Sequence, residues 1–171
     1  MSTSLWSLNT GDHCEILGYD DALAYLRPGL TLCNARGVHD ASTAELAVGL
    51  AISSRRGFPE FMREQIAGNW SHHRTAALSD SKIGIIGFGS IGKKIAQNLS
   101  GFEVSITAFT QSGRDGSLTI DQLDSHLPQL DIVILILPLS DSSRHLFNAE
   151  RLSKMKDGAL LINVARGPVV D

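Results

Sequence analysis

The chain has 171 residues, 43% hydrophobic and 19% charged, the composition of an ordinary globular domain that can bury one sizeable core. Its net charge of −3, with 15 Lys and Arg scattered rather than striped, leaves no electrostatic footprint for nucleic acid. The longest apolar run, Ile132 to Leu139, is strand-sized and broken by Pro138, so no membrane partner is expected; the start carries no basic-then-apolar signal, Cys14 and Cys33 have no metal-like spacing, and a cytoplasmic chain without a metal site is expected.

Residues 1–38 show no clean period. Leu30 to Asn34 reads as a short strand after a Pro28-Gly29 turn. Order improves at Ser42-Thr43-Ala44-Glu45, a capping-box pattern that predicts a helix start. Leu46, Ala47, Leu50 and Ala51 follow at helical spacing and Gly57 stops the run. Pro59 suits the opening of a second helix carrying Phe61, Met62 and Ile66, which Gly68 ends. Trp70 to Ser81 reads as a loop. From Lys82 the chain alternates. Strands are predicted at Lys82–Ile86, Val104–Phe109, Asp131–Leu137 and Ala159–Val164. Helices are predicted at Ser90–Leu99, around Ile120 to Leu127, and from an Asn148 cap to Met155, with a Gly- and Ser-containing loop over Thr110 to Ser117. This alternation argues for an α/β fold, a parallel doubly wound sheet. The near-continuous apolar character after Asp131 fits a strand covered on both faces.

Gly87-Phe88-Gly89-Ser90-Ile91-Gly92 fits G-x-G-x-x-G, between a strand and a helix as the mechanism requires. Gly87 permits the tight turn, Gly89 lets backbone approach a pyrophosphate, and Gly92 lets the helix pack closely on its strand. The plain alternative is a glycine turn with no ligand. NAD sites usually place Asp or Glu about 20 residues further on, to hold the ribose 2′-hydroxyl. Here that place falls at Thr110, followed by Gln111-Ser112-Gly113-Arg114, and no carboxylate comes before Asp115. The hydroxyls of Thr110 and Ser112 with the Arg114 guanidinium would suit a 2′-phosphate. The reading therefore favours NADP over NAD, against the alternative that Arg114 stands in a solvated loop.

Several segments together carry a resemblance: Ala44-Glu45-Leu46-Ala47, Arg56, Gly68-Asn69-Trp70, Gly84 to Gly92, Leu137-Pro138-Leu139-Ser140, and Asn163 to Asp171. In this order they resemble the D-isomer-specific 2-hydroxyacid dehydrogenases, over about four-fifths of the chain. The resemblance implies a Rossmann-type sheet, incomplete at its C-terminal side. Residues 1–38 would be a remnant of the substrate domain and 39–171 a truncated dinucleotide-binding domain. It implies hydride exchange between NAD(P)H and a 2-keto acid, in a parent enzyme that is a homodimer. Ser90 and Ile91 would meet the pyrophosphate through backbone, and Thr110 would lie beside the adenosine ribose. Leu137, Pro138 and Ser143 would line the cofactor cleft, while Val164 and Ala165 would meet the nicotinamide end. Each of these could equally be core or capping. Gly18 and Tyr19 look like part of a substrate-carboxylate loop, although the residues before them depart from the pattern.

Arg166 matches the family arginine that binds the substrate carboxylate. Independently, a planar guanidinium suits bidentate carboxylate recognition, and it follows a predicted strand's carboxyl end, where open α/β sheets bind ligands. By position alone a surface arginine paired with a nearby acid is an equal reading; the resemblance favours the catalytic one. The family's general acid, a histidine oriented by a glutamate, lies beyond the arginine segment and has no counterpart here. The six histidines read as loop or cap residues, with His145 at a helix start. Weak dinucleotide binding with little or no turnover is thus expected. The alternative is a non-enzymatic NAD(P)-binding interaction or sensor module of the same family.

Overall fold

The computed structural model describes residues 37–171. The expected strand at 30–34, Gly18, Tyr19, both cysteines and His13 lie outside the described residues. A compact unit spans Asp40–Asp171, with helices α1 (Asp40–Arg55), α2 (Phe58–Ile66), α3 (Ser90–Leu99), α4 (Leu123–His126) and α5 (Ala149–Ser153). Its strands are β1 (Lys82–Ile86), β2 (Ser105–Thr110), β3 (Leu118–Thr119), β4 (Ile132–Leu135) and β5 (Leu160–Asn163).

The sheet has the order β3-β2-β1-β4-β5, and all four pairings are parallel. The chain runs outward from β1 through β2 to β3, then returns to place β4 on the opposite side of β1. That reversal between β1 and β4 is the topological switch point, where open α/β sheets hold ligands at their carboxyl ends. Alternation along each strand supplies both faces. Ile83, Ile85, Ile132 and Ile134 join Ala44, Ala47, Val48, Ala51, Ile95 and Leu99 on one side. Ile86, Val133 and Leu135 join Phe109, Leu123, Leu127, Phe147 and Val169 on the other. Every residue of β4 is buried, which accounts for its unbroken apolar sequence.

Some local details differ from the expected pattern, among them the two-residue strand β3, which the sequence pattern does not predict. Helix α1 begins at Asp40, so Ser42 and Glu45 fall inside its first turns rather than at a cap. Its inward stripe is Ala44, Ala47, Val48 and Ala51, while Leu46 and Leu50 face outward; small side chains let this helix lie close against its neighbours. The helix expected around Ile120 to Leu127 is a 3-10 turn, then α4, then a second 3-10 turn that takes in Pro128. Proline tightens the end there instead of stopping the helix sharply. Helix α5 follows the predicted cap, with Asn148 Oδ1 accepting from the Arg151 N–H at 2.9 Å.

Candidate functional site

The switch point brings the glycine turn against the start of the chain after β4. The Gly87 N–H donates to Phe109 O at 2.8 Å, and the Ile136 N–H donates to Ile86 O at 2.9 Å. Gly87 has φ +102, and a Cβ there would stand 2.5 Å from Ile136 O. A Cβ on Gly92 would stand 2.2 Å from Gly87 O. Both positions need glycine because backbone fills the space a side chain would take. Gly89 differs: among the described residues, its two chain neighbours aside, nothing lies within 4 Å of a Cβ placed on it. It is the N-cap of α3 and, being glycine, brings no side-chain cap, so the open space lies at the positive end of the helix dipole. A turn sterically closed at its first and last glycines and open at its middle one fits a pyrophosphate laid on backbone. Ser90 is half-buried, and its hydroxyl donates to Asp40 Oδ1 at 3.3 Å; Ile91 turns inward onto the core.

Beyond β2, Thr110 Oγ1 accepts from the Gly113 N–H at 3.0 Å and lies 2.7 Å from Ser117 Oγ. The buried Ser117 also donates through its hydroxyl to Arg114 O. Gly113, Asp115 and Gly116 all have positive φ. This tightly bonded turn leaves Ser112 and Arg114 exposed and swings Asp115 onto α3, where Lys93 Nζ donates to Asp115 Oδ2 at 2.8 Å. The Lys93 hydrogen bond and charge hold the Asp115 carboxyl below its ordinary range. The sequence pattern offers no sign of this pair.

After β4, Leu137 packs on the core and Pro138 is exposed. Ser143 is buried; its Oγ donates to Pro138 O at 2.8 Å and accepts from the Ser140 N–H at 2.7 Å. Its hydroxyl thus braces the loop over 138–143. On the neighbouring strand, Asn163 stands in register with Leu135. Its Oδ1 accepts from the Ala165 N–H at 3.0 Å, and its Nδ2 donates to Arg166 O at 3.0 Å. This amide clamp sets the path of Val164, Ala165 and Arg166 off the end of β5, and the Arg166 side chain is exposed. The segment is held from the other side too: the His145 N–H donates to Pro168 O, and the Phe147 N–H to Val169 O. His145 lies in a turn with φ 52, not at a helix start. Its Nδ1 approaches Asp171 Oδ1 at 3.6 Å, both side chains being at least half exposed. No group of three or more His, Cys, Asp or Glu side chains among the described residues is arranged to hold a metal. No helix among them is long and apolar enough to cross a membrane.

Comparison with known proteins agrees with this geometry. Residues 48–171 match the family model described as the NAD binding domain of the D-isomer specific 2-hydroxyacid dehydrogenases. A hydroxypyruvate reductase of Thermotoga maritima is 32% identical over 147 residues, covering 84% of this chain and 48% of that protein. The fold matches a D-isomer specific 2-hydroxyacid dehydrogenase from Xanthobacter autotrophicus, solved with NADPH and MES, at TM-score 0.77. The identity is 28%, and the match covers 90% of this chain and 66% of that one. It also matches an NAD-dependent formate dehydrogenase from Staphylococcus aureus, solved with NAD, at TM-score 0.73 and 29% identity, covering 81% of this chain and 44% of that one. The chain spans about half the length of the curated relatives it matches. A parallel sheet with its glycine turn at the switch point, an arginine segment clamped beside it and this family match lead to one conclusion: the chain belongs to the D-isomer specific 2-hydroxyacid dehydrogenases, and residues 48–171 are of its NAD-binding domain.

Proposed function

We propose that the chain binds a nicotinamide dinucleotide along the carboxyl edge of its sheet. Within a D-2-hydroxyacid dehydrogenase it would then take part in hydride transfer to and from a small 2-keto acid. The observation that carries the reading is the glycine turn, closed by backbone at Gly87 and Gly92 and open at Gly89. The pyrophosphate would meet the first amides of α3 at Ser90 and Ile91. Thr110, Ser112 and Arg114 would face the adenosine ribose, and with no carboxylate at the end of β2 they favour NADP over NAD. Leu137 and Pro138 would wall the cleft, with Ser143 holding their loop, and Val164 and Ala165 would lie at the nicotinamide end. The dinucleotide supplies the hydride chemistry when bound. Arg166 supplies a planar, permanently charged fork that can hold the keto acid's carboxylate and draw charge toward the reacting carbonyl. Asn163 is its positioning residue. Gly18 and Tyr19, within a substrate-domain segment over 1–38, would belong to a substrate-carboxylate loop of the family's kind. A homodimer in the cytoplasm completes the proposal.

Titration of the purified chain with NADH and NADPH, followed by nicotinamide fluorescence, tests it. Saturable binding of both, tighter for NADPH, is expected. Arg166→Ala should leave both dissociation constants within about twofold, while removing any added effect of glyoxylate or pyruvate on the bound nicotinamide signal. Absence of saturable binding up to about 1 mM of either dinucleotide would refute the proposal.

A further inference from the structure

We propose that Lys93 is a specificity-determining residue for the cofactor's ribose, and that Asp115 is an internal anion occupying the place of a 2′-phosphate. The inference rests on the dinucleotide reading above and names residues it does not use. In a sheet of this order the pyrophosphate lies on the turn after β1, and the adenosine ribose lies near the end of β2. The loop after β2 bridges these two places. Three residues of positive φ, Gly113, Asp115 and Gly116, fold it back. Thr110 Oγ1, Ser117 Oγ and Arg114 O close it into a fixed turn. The result sets a carboxylate 2.8 Å from the ammonium of Lys93. Lys93 sits in the first turn of α3, its N–H donating to Gly89 O at 3.0 Å, one turn from the pyrophosphate position.

The chemistry of the place is that of an anion subsite already filled. Lys93 presents a compact cation, Arg114 presents an exposed guanidinium from the residue just before Asp115, and Asp115 supplies the neutralising charge. A 2′-phosphate carries more negative charge and more acceptor oxygens than one carboxylate. It would displace Asp115 from Lys93 and draw on Arg114 as well. A 2′-hydroxyl can do neither, so it leaves the ion pair in place. Asp115 therefore sets the margin by which a 2′-phosphate is preferred: it opposes the phosphate by repulsion and by holding its cation. The pair is about half exposed, so its loss should change selectivity while leaving the fold intact.

The test measures 2′,5′-ADP against 5′-AMP by calorimetry, which isolates the ribose substituent and needs no turnover. Asp115→Asn should tighten 2′,5′-ADP by about threefold to tenfold, and Lys93→Met should weaken it by a similar factor. Both should leave 5′-AMP within about twofold, and thermal unfolding should confirm that each variant is folded. Equal effects on the two nucleotides, or no effect on either, would overturn the proposal while leaving the dinucleotide reading standing. Failure of the unmodified chain to bind either nucleotide would overturn both.

Discussion

At the scale of single residues the glycine turn separates folding from binding. Gly92 and Gly89 are neighbours in one motif, yet their surroundings differ completely. Alanine at 92 must push against the backbone oxygen of Gly87, a contact of 2.2 Å that no rotamer can relieve. Gly92→Ala should therefore destabilise the chain by about 1–3 kcal/mol, lowering the melting temperature by about 2–4 °C per kcal/mol in a protein of this size. Alanine at 89 meets nothing within 4 Å among the described residues beyond its chain neighbours, and the backbone there, at φ −75, accepts any residue. Gly89→Ala should change stability by less than about 1 kcal/mol. Its methyl group would nevertheless occupy the space where backbone must approach phosphate, so NADPH affinity should fall at least about tenfold. Melting curves and fluorescence titrations on the two variants make the comparison. Normal binding by a folded Gly89→Ala variant would rule out this turn as the phosphate cradle.

At the scale of elements, one carboxylate joins the two strands that flank the switch point. Asp131, just before β4, accepts from the Lys82 N–H at 2.8 Å and from Lys156 Nζ at 2.6 Å. Burial raises its pKa most strongly. Against it work the Lys156 hydrogen bond, the Lys82 N–H and the charges of Lys156 and Arg55, and together they win: the carboxyl is held below its ordinary value of 3.8. Because the folded pKa is depressed, the stability it contributes is fully present above the unfolded pKa and is lost as pH falls through the folded one. Asp131→Ala should cost about 1–3 kcal/mol at neutral pH, since it strands a backbone donor and a lysine. In urea unfolding the gap to the unsubstituted chain should stay constant from about pH 7 to pH 5 and narrow below about pH 4. A gap that does not narrow in acid would show that the charge contributes nothing. Asp131 was legible in the sequence only as the polar start of an apolar strand. Four of the five strands and the glycine motif were readable because a parallel, two-faced sheet demands apolar runs and a glycine turn demands fixed spacing; β3, two residues long, offers no such run. What escaped depends on contacts distant in sequence. Which side of α1 turns inward depends on how closely its neighbours approach, so alanines, not leucines, form its buried stripe. The Lys93–Asp115 pair depends on a left-handed aspartate that no pattern announces. The histidine at 145 found a carboxylate at Asp171 only because 145–147 and 168–171 lie side by side.

At the scale of the whole molecule, most of the apolar side chains that the described residues leave uncovered lie in one part of the chain. Leu46 is 56% exposed and Leu50 43% on α1, Met62 is 62% and Ile66 85% on α2, and Trp70 beyond it is 92%. Both helical pairs are spaced by four residues, so each forms a stripe along its helix. Helix α2 buries none of its residues completely, which is the property of an element whose packing partner is another surface. A second copy of the chain is the partner we propose, and light scattering at increasing concentration should report a dimer. Met62→Glu with Ile66→Glu should convert it to a monomer. Neither side chain is buried, so the thermal stability of the separated chain should change by less than about 0.5 kcal/mol. The competing surface is the outer edge of β5, where Leu160 to Asn163 border a cavity of about 450 Å³ with α1 and α2. A strand edge that no described strand pairs can also recruit another chain. It is the weaker candidate, because β5 offers only four residues, and a stable interface needs about 800 Å² from each partner. Persistence of the dimer in the double glutamate variant, with loss of it on introducing Leu161→Lys, would assign the interface to the strand edge instead. A chain that scatters as a monomer at every concentration would refute both.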